Sequence, residues 1–158
     1  MWGDLMEKKS LFLIIVCIVV FSFVALTYVG IIDLGESVQV GDVKFKLPEG
    51  YKNMGVNKHG YQTASNGLDS LYFDSYGDKN VSKYIKECKN DCISKNKTFK
   101  ISNFTTNGIN VYKLVDSQNA THYWFKYGDK TYTIFTWKEV FRADDIVKNM
   151  ISSSIAKR

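Results

Sequence analysis

Histidine, cysteine and proline are scarce in this chain of 158 residues, which holds two, three and one of them. With only His59 and His122 available, no Ser-His-Asp arrangement can be placed, because no nucleophile elbow or oxyanion loop marks its partners. A zinc site would have to join both histidines to Cys88 and Cys92 without any recognised ligand spacing. Those two cysteines stand as Cys-x-x-x-Cys, not as the Cys-x-x-Cys of a redox motif. Asp69, Asp74 and Asp78 are too widely spaced for a calcium loop and lack its terminal glutamate. No metal, cofactor or catalytic residue is therefore expected. Internal repeats and low-complexity tracts are missing too, which leaves an ordinary globular chain.

What the chain does have is one unbroken apolar run, Leu11–Val29, without charge, glycine or proline. At a helical rise of about 1.5 Å per residue this run would extend about 28 Å, close to the hydrocarbon thickness of a bilayer, and it predicts a transmembrane helix. Lys8 and Lys9 abut it, whereas the first charges beyond it are Asp33 and Glu36. The positive-inside tendency then keeps the N-terminus in the cytoplasm and exports the C-terminal part, a single-pass protein of the cell membrane. The run is longer than a signal-peptide core and no small-x-small cleavage site follows, which favours a retained anchor. Cys17, preceded by Val16, fits lipid attachment badly. The expected organisation is a cytoplasmic N-terminus (1–10), a bilayer-embedded anchor (11–29), a linker (30–37) and an exported globular domain (38–158).

From Val38 onward the chain carries 19 Lys and Arg against 12 Asp and Glu, a net of +7 within a total of +5. Such a domain is drawn to anionic lipid headgroups or an acidic envelope polymer, although a solvated lysine-rich surface is the simpler explanation. Export puts nucleic acid in the wrong compartment to be a partner. Four Asn-x-Ser/Thr triplets, at Asn80, Asn96, Asn103 and Asn119, are candidate glycosylation sites and are expected on loops or strand edges.

Alternation of apolar and polar residues from Val38 to Leu47 predicts a strand or strand pair, stopped at Pro48-Glu49-Gly50. Asn53 to Gly60 reads as a loop, and Tyr61–Ala64 and Leu68–Ser75 as strands. At Val81 the period changes: Val81, Tyr84, Ile85, Cys88 and Cys92 recur at helical spacing, with Asn80 or Ser82 able to cap the helix. Phe99–Phe104 and Ile109–Val115 flank an Asn107-Gly108 hairpin turn, and Thr121–Tyr127 and Thr131–Trp137 flank Gly128-Asp129. Asp144–Ile155 closes the chain as an amphipathic helix with Asp144 and Asp145 at its positive end. The fold class is α+β, an N-terminal transmembrane helix followed by an antiparallel sheet with helices packed on it.

The Phe45-x-Leu47-Pro48-x-Gly50-Tyr51 opening, the lysine-rich middle helix, the Tyr127-Gly128-Asp129-Lys130-Thr131-Tyr132 hairpin and the closing Ile146-x-x-x-Met150-Ile151-x-Ser153-Ser154-Ile155 carry a likeness. Over roughly residues 40–155 the chain resembles small membrane-anchored proteins of methanogenic archaea whose soluble part is a PsbP-like α/β/α sandwich. The resemblance implies that sandwich and a binding or assembly-support role, and it implies no shared reaction.

Two groups of side chains remain to be placed. Cys88 and Cys92, one helical turn apart, are either a disulfide or two buried thiols acting as small hydrophobes. Tyr123, Trp124 and Trp137 lie on or beside one hairpin whose alternate faces cannot all be buried if the sheet is covered on one side only. Left open, these rings form an aromatic binding surface for sugar, peptide or headgroup; with helices on both faces, the preferred arrangement, they are core. The expected function is a non-catalytic, membrane-anchored exported domain that binds or supports an envelope component. The alternatives are a pilin-like subunit assembling through its apolar helix, and an exported enzyme.

Overall fold

Period-two alternation becomes strand and the 3.6-residue period becomes helix almost wherever each occurs. The computed structural model describes residues 15–22, 35–78 and 80–155. It divides into two compact units, Met1–Gly35 and Glu36–Arg158.

In the first unit residues 15–22 are helical (α1). The membrane-spanning helix expected over Leu11–Val29 is not upheld: among the described residues no helix is long and apolar enough to cross a membrane. The transmembrane element of the expected fold class goes with it, as do the signal-anchor topology and the single-pass localisation in the cell membrane. The remainder of that run, the expected cytoplasmic segment 1–10 and most of the linker 30–37 lie outside the described residues.

The second unit is α+β. Its strands are β1 (Ser37–Val40), β2 (Val43–Lys46), β3 (Lys52–Val56), β4 (Gln62–Ser65), β5 (Ser70–Tyr76), β6 (Phe99–Thr106), β7 (Ile109–Asp116), β8 (Thr121–Tyr127) and β9 (Lys130–Thr136). Its helices are α2 (Val81–Ser94) and α3 (Ala143–Ser154). Strands β1 and β2 form a separate hairpin, and the other seven make one antiparallel sheet in the order β3-β4-β5-β9-β8-β7-β6. The chain leaves β5 through α2, reaches the far edge at β6 and returns by hairpins until β9 pairs with β5.

The two faces of the sheet are covered differently. On one face the β1–β2 hairpin and α3 enclose the main core, with Val147, Met150, Ile151 and Ile155 packed among Leu71, Phe73, Tyr123, Phe125, Tyr132 and Ile134. Phe45 enters from the hairpin, its ring centre 6.0 Å from Phe73, 6.2 Å from Phe125 and 6.1 Å from Tyr132. Gly41 lets the hairpin approach so closely: its φ is +54°, and a Cβ there would stand 2.9 Å from Ser75 Oγ. On the opposite face, among the described residues, α2 is the element that packs, burying Val81 and Cys92 against Leu114 and Trp124. The α2 N-terminus is capped by Asn80, whose side-chain oxygen accepts from the Lys83 N–H at 3.1 Å. Its C-terminus closes with Asn96 in the left-handed region and the Lys97 N–H donated to the Cys92 carbonyl at 2.9 Å.

Candidate functional site

Parity along the strands decides which rings share the second face. His122 and Trp124 alternate with Tyr123 and Phe125 on β8; on β9 Thr133 and Phe135 share their side, and on β5 Tyr72 and Asp74 do. His122 lies directly opposite Phe135, which lies opposite Tyr72. The consequence is a continuous strip of rings across three strands. His122 is stacked on both sides, on Trp124 at 5.4 Å and 12° and on Phe135 at 5.3 Å and 9°. Phe135 in turn stacks on Tyr72 at 5.3 Å and meets the edge of Tyr61 at 4.9 Å. Trp137, two residues beyond Phe135, stands edge-on to both Phe135 (5.2 Å) and His122 (6.1 Å).

Cover over this strip is incomplete. Helix α2 shields Trp124, which is 3% exposed, whereas Trp137 is 57% exposed and Tyr61 and Tyr72 are half-buried. The rim of α2 is marked by Tyr84, stacked on Tyr76 at 3.9 Å with its hydroxyl donated to Asp78 at 2.9 Å. Beyond that rim Trp137 is open and Tyr61 and Tyr72 are partly so, standing around a buried Phe135, with polar neighbours in register: Thr63 opposite Tyr72, and Asp74 opposite Thr133. Burial raises the pKa of the Asp74 carboxyl above its ordinary value, against hydrogen bonds from the Ser75 N–H and Tyr76 that pull the other way. Burial also depresses His122 to about 4, which keeps its imidazole neutral near pH 7.

Of the three rings expected from the sequence as an aromatic surface, Trp137 is open, Trp124 is covered by α2 and Tyr123 is fully buried on the other face. Tyr61, Tyr72, His122 and Phe135 were not among them. The sequence shows only alternation within each strand, and that Tyr72, His122 and Phe135 fall on one face becomes legible only once β5 and β8 are known to pair with β9.

Cys88 and Cys92 both lie inside α2 and carry free thiols. The helix continues through both positions, one turn apart, and the Cys88 side chain is in hydrogen-bond contact with that of Cys92. Burial, then the neighbouring Cys92, pushes the Cys88 thiol up to about 12, so it is protonated near neutral pH. His59 sits in an exposed turn, its N–H donated to Asn57 at 2.9 Å, apart in character from the stacked His122. Among the described residues no group of three or more His, Cys, Asp or Glu is placed to hold a metal ion. The candidate glycosylation residues are all exposed. Asn80 caps α2, Asn96 ends it, Asn103 lies mid-strand on β6, and Asn119 turns the chain between β7 and β8 with its amide on Glu139 at 3.3 Å.

Among the clefts away from the strip, two border the ends of the helices. One of about 420 Å³ opens between the Asn107-Gly108 turn, Lys126–Gly128 and the first residues of α2. The other, about 310 Å³, is bordered by Lys113, Tyr123, Glu139, Arg142 and Asp144 at the start of α3. The polar groups of this second cleft satisfy one another: Lys113 and the Tyr123 hydroxyl each reach Asp144 at 2.7 Å, and Arg142 holds Asp145 at 2.8 Å. That network reads as a lock on α3, since Lys113, Arg142, Asp144 and Asp145 are already paired.

No protein-family model, curated protein or solved structure matches the chain. The likeness to membrane-anchored proteins of methanogens accordingly rests on the sequence motifs alone.

Proposed function

We propose that the unit Glu36–Arg158 is a binding module without a reaction of its own, which recognises a sugar polymer by laying its rings on the Trp137 strip. The observation that carries this is Trp137 itself, a large ring 57% exposed yet fixed by edge contacts to Phe135 and His122. Trp137 stands just past the end of β9 and continues the row of half-buried rings Tyr61 and Tyr72, and it is a contiguous aromatic patch of this kind that marks a binding surface. A pyranose fits because its C–H face stacks on an aromatic ring while its rim hydroxyls need donors and acceptors. Thr63 and Asp74, in register with Tyr72 and Thr133, are the polar side chains beside the strip that could serve them. A net of +7 from Val38 onward favours an acidic polymer, such as those of cell envelopes, over a neutral one.

Co-sedimentation and affinity electrophoresis against polygalacturonate and against neutral xylan test the proposal. Wild-type protein is expected to bind the acidic polymer more tightly, with affinity falling as salt rises. Trp137→Ala is expected to cost about 2 kcal/mol, roughly thirtyfold in Kd. Equal binding by the alanine variant, or no binding to either polymer, overturns it.

A further inference from the structure

The two edges of the large sheet are unequal. At one edge β3 is five residues long and interrupted by a bulge between Asn53 and Gly55, with Gly55 at φ +74°. The side-chain amide of Asn53 is donated to the Ser37 carbonyl at 2.9 Å, which ties that edge to the β1–β2 hairpin. Bulges and short strands are the usual guards against edge-to-edge pairing. At the other edge β6 is eight residues long and pairs with β7 in unbroken register. It has no proline and one charge, Lys100, and among the described residues no strand pairs with its outer side. Ile101 on this strand is 41% exposed.

The hairpin fixes which backbone groups face outward. Asn107 and Gly108 both have positive φ, a two-residue turn that makes Thr106 and Ile109 its closing hydrogen-bonded pair. Alternation then directs Lys100, Ser102, Phe104 and Thr106 toward β7, and leaves the N–H and C=O of Phe99, Ile101, Asn103 and Thr105 pointing away.

We infer that β6 is a dimerisation edge, on which a second copy of this chain pairs its own β6 antiparallel about a two-fold axis to make one sheet through both subunits. A two-fold axis perpendicular to the sheet keeps equivalent faces on the same side, so only residues of like parity oppose one another. The registers with longest overlap centre on Ser102 or Asn103. In these, Lys100 opposes Phe104 or Thr106 of the other copy and never a second lysine of the strand; because Lys148 lies over the Phe104 ring at 5.0 Å, the Asn103-centred register, which sets Lys100 opposite Thr106, avoids a like-charge contact. The exposed Ile101 then lies beside Asn103 or Thr105 of the other copy.

Sedimentation velocity on the full chain, made unglycosylated in a bacterial host and kept reduced, tests the inference. Wild type is expected to pass from monomer to dimer below about 100 μM. Asn103→Pro removes one outward N–H in any register, and Ile101→Lys places a second charge on the edge; each is expected to weaken dimerisation about tenfold or more. Val56→Lys on β3 is expected to leave it unchanged. Amide hydrogen exchange on the wild type supplies a readout free of any substitution. Ile101, Asn103 and Thr105 are expected to gain protection as concentration rises, while Ser102 and Phe104 hold theirs throughout. A chain that stays monomeric, an oligomer that both β6 substitutions leave intact, or concentration-independent exchange along β6 would each overturn the inference.

Discussion

His122 has no room for a proton. Its ring is sandwiched between Trp124 and Phe135, and burial takes its pKa from 6.5 to about 4. A histidine depressed in the folded state stabilises it fully above the ordinary pKa. As pH falls from 6.5 toward 4 the unfolded chain takes up the proton first and that stability is lost, at most about 3 kcal/mol. Urea melts of wild type and His122→Phe at pH 7.5 and pH 4.5 should show a large drop for the wild type and a smaller one for the phenylalanine variant, which keeps the stack. The acidic groups act in a lower window. Burial works against the charge of Asp144, but hydrogen bonds from Lys113 and Tyr123 outweigh it and hold the carboxyl below its ordinary value. Its contribution therefore persists until the pH falls through the carboxylate range. Tyr123→Phe, by removing a 2.7 Å bond to that carboxylate, should cost about 2 kcal/mol in the same melts at pH 7.5. The threonines of β9 predict the opposite sign. Thr131 and Thr133 are 0% and 3% exposed and their hydroxyls have no partner. Thr133→Val should leave stability unchanged or raise it by up to about 1 kcal/mol, measured by thermal unfolding. Little of this was legible beforehand, because a sequence shows that His122 alternates with Tyr123 but not which rings close over it.

Elements were more legible than contacts, and the exception is instructive. The helical stripe Val81, Tyr84, Ile85, Cys88 and Cys92 announced α2, and the Asn-Gly and Gly-Asp pairs announced the β6–β7 and β8–β9 hairpins, because each rests on local periodicity or turn chemistry. Strand β3 read as loop. Its residues Lys52–Val56 are exposed throughout, so no alternation marks it, and it is held by pairing with β4 across a bulge. The apolar run before the domain misled in the other direction, since length and hydropathy argued for a spanning helix that the described residues do not contain. At this scale Asn80→Ala tests the α2 cap: loss of its bond to the Lys83 N–H should cost about 1 kcal/mol in urea unfolding, with the helix otherwise intact.

Across the whole unit, one decision shapes everything else: β9 returns to pair with β5 after an excursion through α2 and three strands. That long-range pairing brings Tyr72 beside Phe135 and sets Trp137 at the end of a row of rings. Local patterns cannot reveal it, since the sequence offers only parity within each strand. The same topology explains why one face is fully packed and the other is not. Helix α3 and the β1–β2 hairpin share the first face, while among the described residues α2 covers the second and shields Trp124 but leaves Trp137 open. Chemical-shift mapping by NMR during titration with short galacturonate oligomers tests that open face most directly. The expected result is a contiguous set of shifts on Tyr61, Tyr72, Phe135 and the Trp137 indole N–H, abolished by Trp137→Ala. Shifts confined to the cleft around Ser82 and Lys126, or to the Lys113–Asp144 cleft, would contradict it.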